Sequence, residues 1–220
     1  MTLPGTLEAT GRSSSATADY LLPIMTSMEE RYEHARMRQK NHEQYDGMET
    51  FQMFKDLAEE GHAASQCTTA MALRAMGKHA ECLEMLTRAA SQDNPRALTQ
   101  MGVFHYNGDC GLEASHEKSI EYYRKAAELG ERRAMLHVAM MMEEGEGCEK
   151  NAEVAADMYR ELTLDDDPIA AEAAYHLGVL CLSGELGRSI KIRAEGMTML
   201  KEAEYGGEPG ARKALDYYGL

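Results

Sequence analysis

The residues best able to do chemistry in this 220-residue chain are eight histidines and five cysteines, and their spacing builds no reactive site. There is no H-E-x-x-H and no pair of histidines four apart, so no single helix turns two imidazoles toward one zinc ion. His176 and Cys181 lie five apart, on different helix faces, and no G-x-S-x-G turn presents a nucleophile. His105 and His137 read as helix-surface or packing residues. The cysteines Cys67, Cys82, Cys110, Cys148 and Cys181 form no C-x-x-C pair. They read as small apolar residues kept reduced, which places the chain in an intracellular reducing compartment, the cytoplasm ahead of the mitochondrion. Met140-Met141-Met142 offers thioethers for Cu(I), but consecutive helical residues point roughly 100° apart and cannot converge on one ion. They read as adaptable packing. Asp165-Asp166-Asp167 lacks the glycine and terminal glutamate of a calcium loop and reads as a solvated link. Gly145-Glu146-Gly147 lacks the lysine of a phosphate-binding loop. The expectation is a non-enzyme with no catalytic residue, metal or cofactor.

Charge narrows the partners. With 37 acidic and 23 basic residues the net charge is -14, and such a chain repels phosphates unless it concentrates its bases. The densest basic cluster, Arg36-Met37-Arg38-Gln39-Lys40, sits among Glu33, Glu43 and Asp46 and reads as a solvated helix face. The partners expected are therefore proteins or peptides, neutral or basic, rather than nucleic acid. No apolar run approaches the roughly 20 residues of a membrane-spanning helix.

The elements that carry these residues are helices. Residues 1–25 are rich in Ser, Thr, Ala and Gly and read as a flexible tail; a mitochondrial presequence would hold more Arg and fewer acids. Residues 26–47 read as an N-terminal helix, opened by a capping box at Ser27-Met28-Glu29-Glu30 and running to about Gln44. A helical domain follows over residues 48–220. Its first helix spans Met48 to Glu60, with apolar residues three or four apart and Gly61 as a stop.

This domain repeats internally. Arg124-Lys125-Ala126-Ala127-Glu128-Leu129-Gly130 has counterparts upstream at Thr87-Arg88-Ala89-Ala90 and downstream at Lys201-Glu202-Ala203-Glu204. Tyr159-Arg160-Glu161-Leu162 opens a further copy, which carries a small insertion, and Leu57-Ala58-Glu59-Glu60 a looser one. Small residues at Ser65, Ala97, Ala134, Ala173 and Ala211 recur at intervals of 32, 37, 39 and 38 residues. Between them, Met101-Gly102 through Gly108 matches Val138-Ala139 through Gly145 and Leu177-Gly178 through Gly184. A small residue at Gly102, Ala139 or Gly178 lets two helices approach, and the later glycines permit a left-handed turn. Asn94-Pro95 and Asp167-Pro168 read as an N-cap followed by proline in the first helical turn. Each unit is a helix, a glycine turn, a second helix and a short link.

These residues resemble the Sel-one-like repeat family, close relatives of the tetratricopeptide repeat, over about residues 48–218. Residues 97–134 match best, through Met101-Gly102, Gly108 and Tyr123-Arg124-Lys125-Ala126-Ala127; residues 63–95 look more like the shorter tetratricopeptide form. Departures stand at Thr163 and Asp165, and at Ser119 and Gly196, where a packing alanine is usual. The resemblance implies an all-α solenoid of four to five stacked antiparallel helix pairs, and a scaffold or adaptor that binds a peptide or partner helix within a complex. The other class in view is an RNA-associated organellar helical repeat protein, which the acidic balance disfavours. Transferring the inward-facing positions of such units gives a candidate groove: Met71, Arg74, Thr99, Val103, Tyr106, Asn107, Arg133, Met140, Glu143, Glu144, Tyr175, Val179 and Leu182. Tyr106, Met140 and Tyr175 would form its apolar centre, with Glu143 and Glu144 as an acidic edge.

Overall fold

The computed structural model describes residues 27–219, so the expected tail at residues 1–25 lies outside the described residues. Among those described there are eleven α-helices and no strand. The chain divides into two compact units, one ending at Met85 and the other beginning at Leu86, so that the division falls within one helix, His79–Ala90.

The first unit holds α1 (Met28–Lys40), α2 (Gly47–Glu59) and α3 (Ala63–Ala75), each packed on its sequence neighbour, and the start of α4 (His79–Ala90). The capping box forms as expected, Ser27 accepting from the Glu30 N–H while the Glu30 carboxylate accepts from the Ser27 N–H. Helix α1 ends at Lys40, four residues short of Gln44, because Asn41 folds back and its side-chain amide donates to the Met37 carbonyl. The basic cluster is not a wholly solvated face. Arg38 is buried, donates to Glu49 at 2.7 Å and lies over the Tyr45 ring, so it clamps α1 to the start of α2.

The second unit shows the repeat. Helices α5 (Pro95–Asn107) and α6 (His116–Glu128) form one pair. Next come α7 (Arg132–Glu144) with α8 (Ala152–Leu162), then α9 (Pro168–Ser183) with α10 (Ile190–Tyr205), and α11 (Ala211–Tyr218) ends the chain. Every helix here packs on the next, and α7 also meets α9, as α9 meets α11. This layering of helix pairs is that of an α-solenoid. The caps follow the sequence: Asn94 accepts from the Ala97 N–H and Asp167 from the Ala170 N–H, each with proline next.

Close approach explains the small residues. A β-carbon on Gly102 would stand 2.6 Å from the Tyr123 ring, and one on Gly178 would stand 2.8 Å from Leu200. The two departures from alanine are also packing devices. The Ser119 hydroxyl donates to the Gly102 carbonyl at 2.8 Å, and a β-carbon on Gly196 would press within 2.8 Å of Cys181. The aspartate link is solvated at Asp165 and Asp166, as expected, and is also gripped: Arg132 pairs with Asp165 and Asp167 and donates to the Leu162 carbonyl, tying α7 to the loop beyond α8. Met141 is buried and Met140 and Met142 half-buried, in keeping with packing use.

Candidate protein-binding cleft

The first helices of successive pairs, α5 and α7, carry the site, and α6 forms its floor. The glycine turn after α5 brings the chain back so that the Ser115 N–H donates to the His105 carbonyl at 2.7 Å. One repeat later the Asn151 N–H donates to the Met142 carbonyl in the same way, at 2.8 Å. These matched closures fix where α6 lies against α5 and α8 against α7. Gly147, at φ 66°, sits so close to the His116 backbone that any β-carbon would collide with it, which seats the turn after α7 against the start of α6.

Between these elements lies a cleft of about 360 Å³ lined by Val103, Tyr106, Asn107, Tyr123, His137, Met140, Met141, Glu144 and Glu146. Five residues expected in the groove converge here: Val103, Tyr106, Asn107, Met140 and Glu144. Tyr106 is held on two sides, its hydroxyl donating to Glu146 at 2.7 Å and its ring stacked on His116 at 4.6 Å. The bond to Glu146 also raises the Tyr106 pKa, so the hydroxyl stays protonated. Tyr123 stacks on His137 at 4.7 Å. Burial pushes the Tyr123 phenol up to about 12 and pulls the His137 imidazole down, so both rings present neutral faces at pH 7.

The other expected groove residues serve elsewhere. Met71, half-buried, and Arg74, exposed, lie on α3 in the first unit. Thr99 is buried and its hydroxyl donates to the Pro95 carbonyl, so it offers nothing to a partner. Arg133 is ion-paired with Glu172 on α9. Glu143 does not form an acidic edge: its side chain is 14% exposed, accepts from the Tyr159 hydroxyl at 2.7 Å and faces His176 at 3.7 Å. Tyr175 is packed among Ala174, Ala203 and Ala211, its ring edge-on to His176, so it does not share the cleft with Tyr106. Val179 is half-buried, and Leu182 packs against Gly196 inside its own helix pair.

Tyr123, His137, Met141 and Glu146 are cleft residues that the groove assignment missed. The register held the signal for two of them, since Tyr123 and Tyr159 open equivalent motifs and His137 and His176 each follow a recurrent alanine, Ala134 or Ala173, by three residues.

A helical-repeat protein with a cleft between successive first helices is the class that this geometry defines. The Sel1 repeat family pattern matches residues 95–131, 132–162 and 171–191, so these stretches are Sel1 repeats. A crystal structure of a Sel1 repeat protein from Oxalobacter formigenes has the same fold, with a TM-score of 0.73 at 19% identity over 90% of this chain and 80% of that one. The protective antigen c5321 from uropathogenic Escherichia coli, which displays an SLR fold, matches with a TM-score of 0.71 at 21% identity, over 86% of this chain and 40% of that one. In sequence, the chain is 28% identical over 74 residues to the ERAD-associated E3 ubiquitin-protein ligase component HRD3A of Arabidopsis thaliana. That match takes in 34% of this chain and only 11% of the plant protein.

Proposed function

We propose that the protein is a non-enzymatic scaffold or adaptor that binds a peptide or partner helix within a multiprotein complex. The observation that carries this reading is the convergence of Val103, Tyr106, Asn107, Met140 and Glu144 on one cleft between successive first helices. Aromatic and methionine anchors with a polar rim are the composition of a protein-recognition surface. Sel1 repeat proteins are in general interaction scaffolds, and HRD3A, by its description, is a component of a ubiquitin ligase, which supports the same reading. An acidic chain favours a neutral or basic partner. Buried thiols at Cys67, Cys82 and Cys181 suit an intracellular reducing compartment.

The test is affinity purification of the tagged chain from its native cell, followed by titration of the identified partner. Tyr106→Ala should stay folded by circular dichroism and lose the partner, whereas Tyr175→Ala should bind as wild type. Equal binding by Tyr106→Ala would overturn the cleft as the contact. Recovery of RNA in place of protein would overturn the scaffold reading in favour of an RNA-associated protein.

A further inference from the structure

We propose that the cleft between α5 and α7 is a subsite for one lysine side chain of the partner, a specificity that rests on the scaffold reading above. At about 360 Å³ it lies at the lower end of ligand-sized cavities, which suits one long side chain better than a length of peptide. Its walls combine two features that a lysine needs together. Val103, Met140 and Met141 supply apolar surface for the four-carbon stem. Glu144 and Glu146 supply carboxylates for the ammonium head.

The aromatic lining adds to both. His116 covers one face of the Tyr106 ring, so the ring meets the cleft with its other face or its edge, already fixed in place by Glu146. A ring held in one position loses little freedom on binding, and its face attracts a cation. Among the described residues no Lys or Arg lines this cleft. Lys150 feels the field of Glu144, but its ammonium is bonded to Glu185 at 2.9 Å. Arg133, on the same helix as Met140, is paired with Glu172. His137 is kept neutral by its burial and brings no opposing charge. The result is a half-apolar hole with a negative rim, the complement of an aliphatic chain ending in one positive charge.

The probes are two capped tripeptides, acetyl-Gly-Lys-Gly-amide and its norleucine counterpart, which share the stem and differ in the head. Binding is read by NMR from ¹³C-methyl-labelled methionine, with the Met140 and Met141 signals assigned by substitution. The lysine peptide should shift both signals saturably, and norleucine should bind about tenfold more weakly. A Glu144→Gln, Glu146→Gln double variant should weaken lysine binding about tenfold and leave norleucine unchanged, since the amide oxygen of glutamine at 146 can still accept from the Tyr106 hydroxyl and hold the ring while the charges facing the ammonium are gone. Silence of both methyls, or equal binding of the two peptides, would overturn the subsite. A purified partner that binds the double variant as tightly as wild type would also overturn it while leaving the scaffold reading standing. A cleft that discriminates lysine in a chain that recovers no protein partner would support the subsite and sink the scaffold reading.

Discussion

Two layer contacts in the second unit occupy equivalent places in the repeat and have different contents. At one, Tyr123 of α6 stacks on His137 of α7; at the other, Tyr159 of α8 stacks on His176 of α9. What lies above each stack depends on the residue nine positions after the recurrent alanine in the first turn of the preceding first helix. After Ala134 it is Glu143, whose carboxylate accepts from the Tyr159 hydroxyl and faces His176, closing the contact with a polar network. After Ala97 it is Tyr106, whose hydroxyl turns away to Glu146 in the glycine turn, and the contact stays open as the cleft. Layers of one repeat design thus differ at one position, which closes one contact and leaves the other open as a cleft. The helix pairing, set by Gly102, Ala139 and their neighbours, is common to both layers and indifferent to that choice.

The harshest way to break the comparison is to disturb what the two layers share. Gly102→Leu drives a side chain into the Tyr123 ring and Gly178→Leu into Leu200. Each should cost about 1–3 kcal/mol through overpacking and lower the thermal midpoint. Gly102→Leu should in addition abolish partner binding, because Tyr123 is part of the cleft wall. An unchanged midpoint in both variants would refute the packing role.

The difference between the layers is tested by removing one hydroxyl from each. Tyr159→Phe leaves the Glu143 carboxylate largely buried without its donor, at a cost of about 1–2 kcal/mol. Tyr123 has the Ser119 hydroxyl and the Tyr106 phenol near its own hydroxyl in place of a buried carboxylate, and Tyr123→Phe should cost about 0.5 kcal/mol. Chemical denaturation of the two variants reads the contrast directly. Equal losses would mean that the network over the second stack contributes nothing. The same logic revises what a charge change does at α7. Glu143→Lys should destabilise the fold, whereas Glu144→Lys, at an exposed rim position, should leave stability unchanged and slow association with a basic partner.

Much of this architecture is legible in the sequence because it depends on local chemistry. The alanine and glycine register encodes close helix approach, and Asn94-Pro95 and Asp167-Pro168 mark helix starts whose caps form as expected. The site is less legible, for a geometric reason. Helical spacing gives the face on which a residue lies, but not whether a long side chain reaches across to the next layer. Glu143 and Glu144 are neighbours in sequence, yet one is committed to Tyr159 and the other faces the cleft. Arg38 looks like one of three surface bases, but α2 closes over it. Glu146 sits in a turn whose glycines explain its backbone, and only the fold shows that its carboxylate holds a tyrosine forty residues upstream.

The smallest expected effect concerns protons at the first layer. Burial holds the His137 imidazole below its ordinary pKa; Arg133 pushes it further down and Glu172 partly opposes them. His105, stacked on Tyr122 and buried, is lowered too, by its burial and then by Lys118. For such groups the unfolded chain binds the proton more readily than the folded one. Their neutral forms therefore favour the fold fully above the unfolded pKa, about 6.5, and that stability is lost as pH falls from there toward the folded values. Phenylalanine at either position keeps a ring for the stack and removes the titration. The loss of stability between about pH 7.5 and pH 5.5 should accordingly be smaller in His137→Phe and in His105→Phe than in wild type. Denaturant midpoints at the two pH values measure it, each variant against wild type so that the remaining groups cancel. Only His137 lines the cleft, so only its replacement should also flatten the pH dependence of partner binding. An identical change in both variants would show that protonation at the first layer acts on the fold alone.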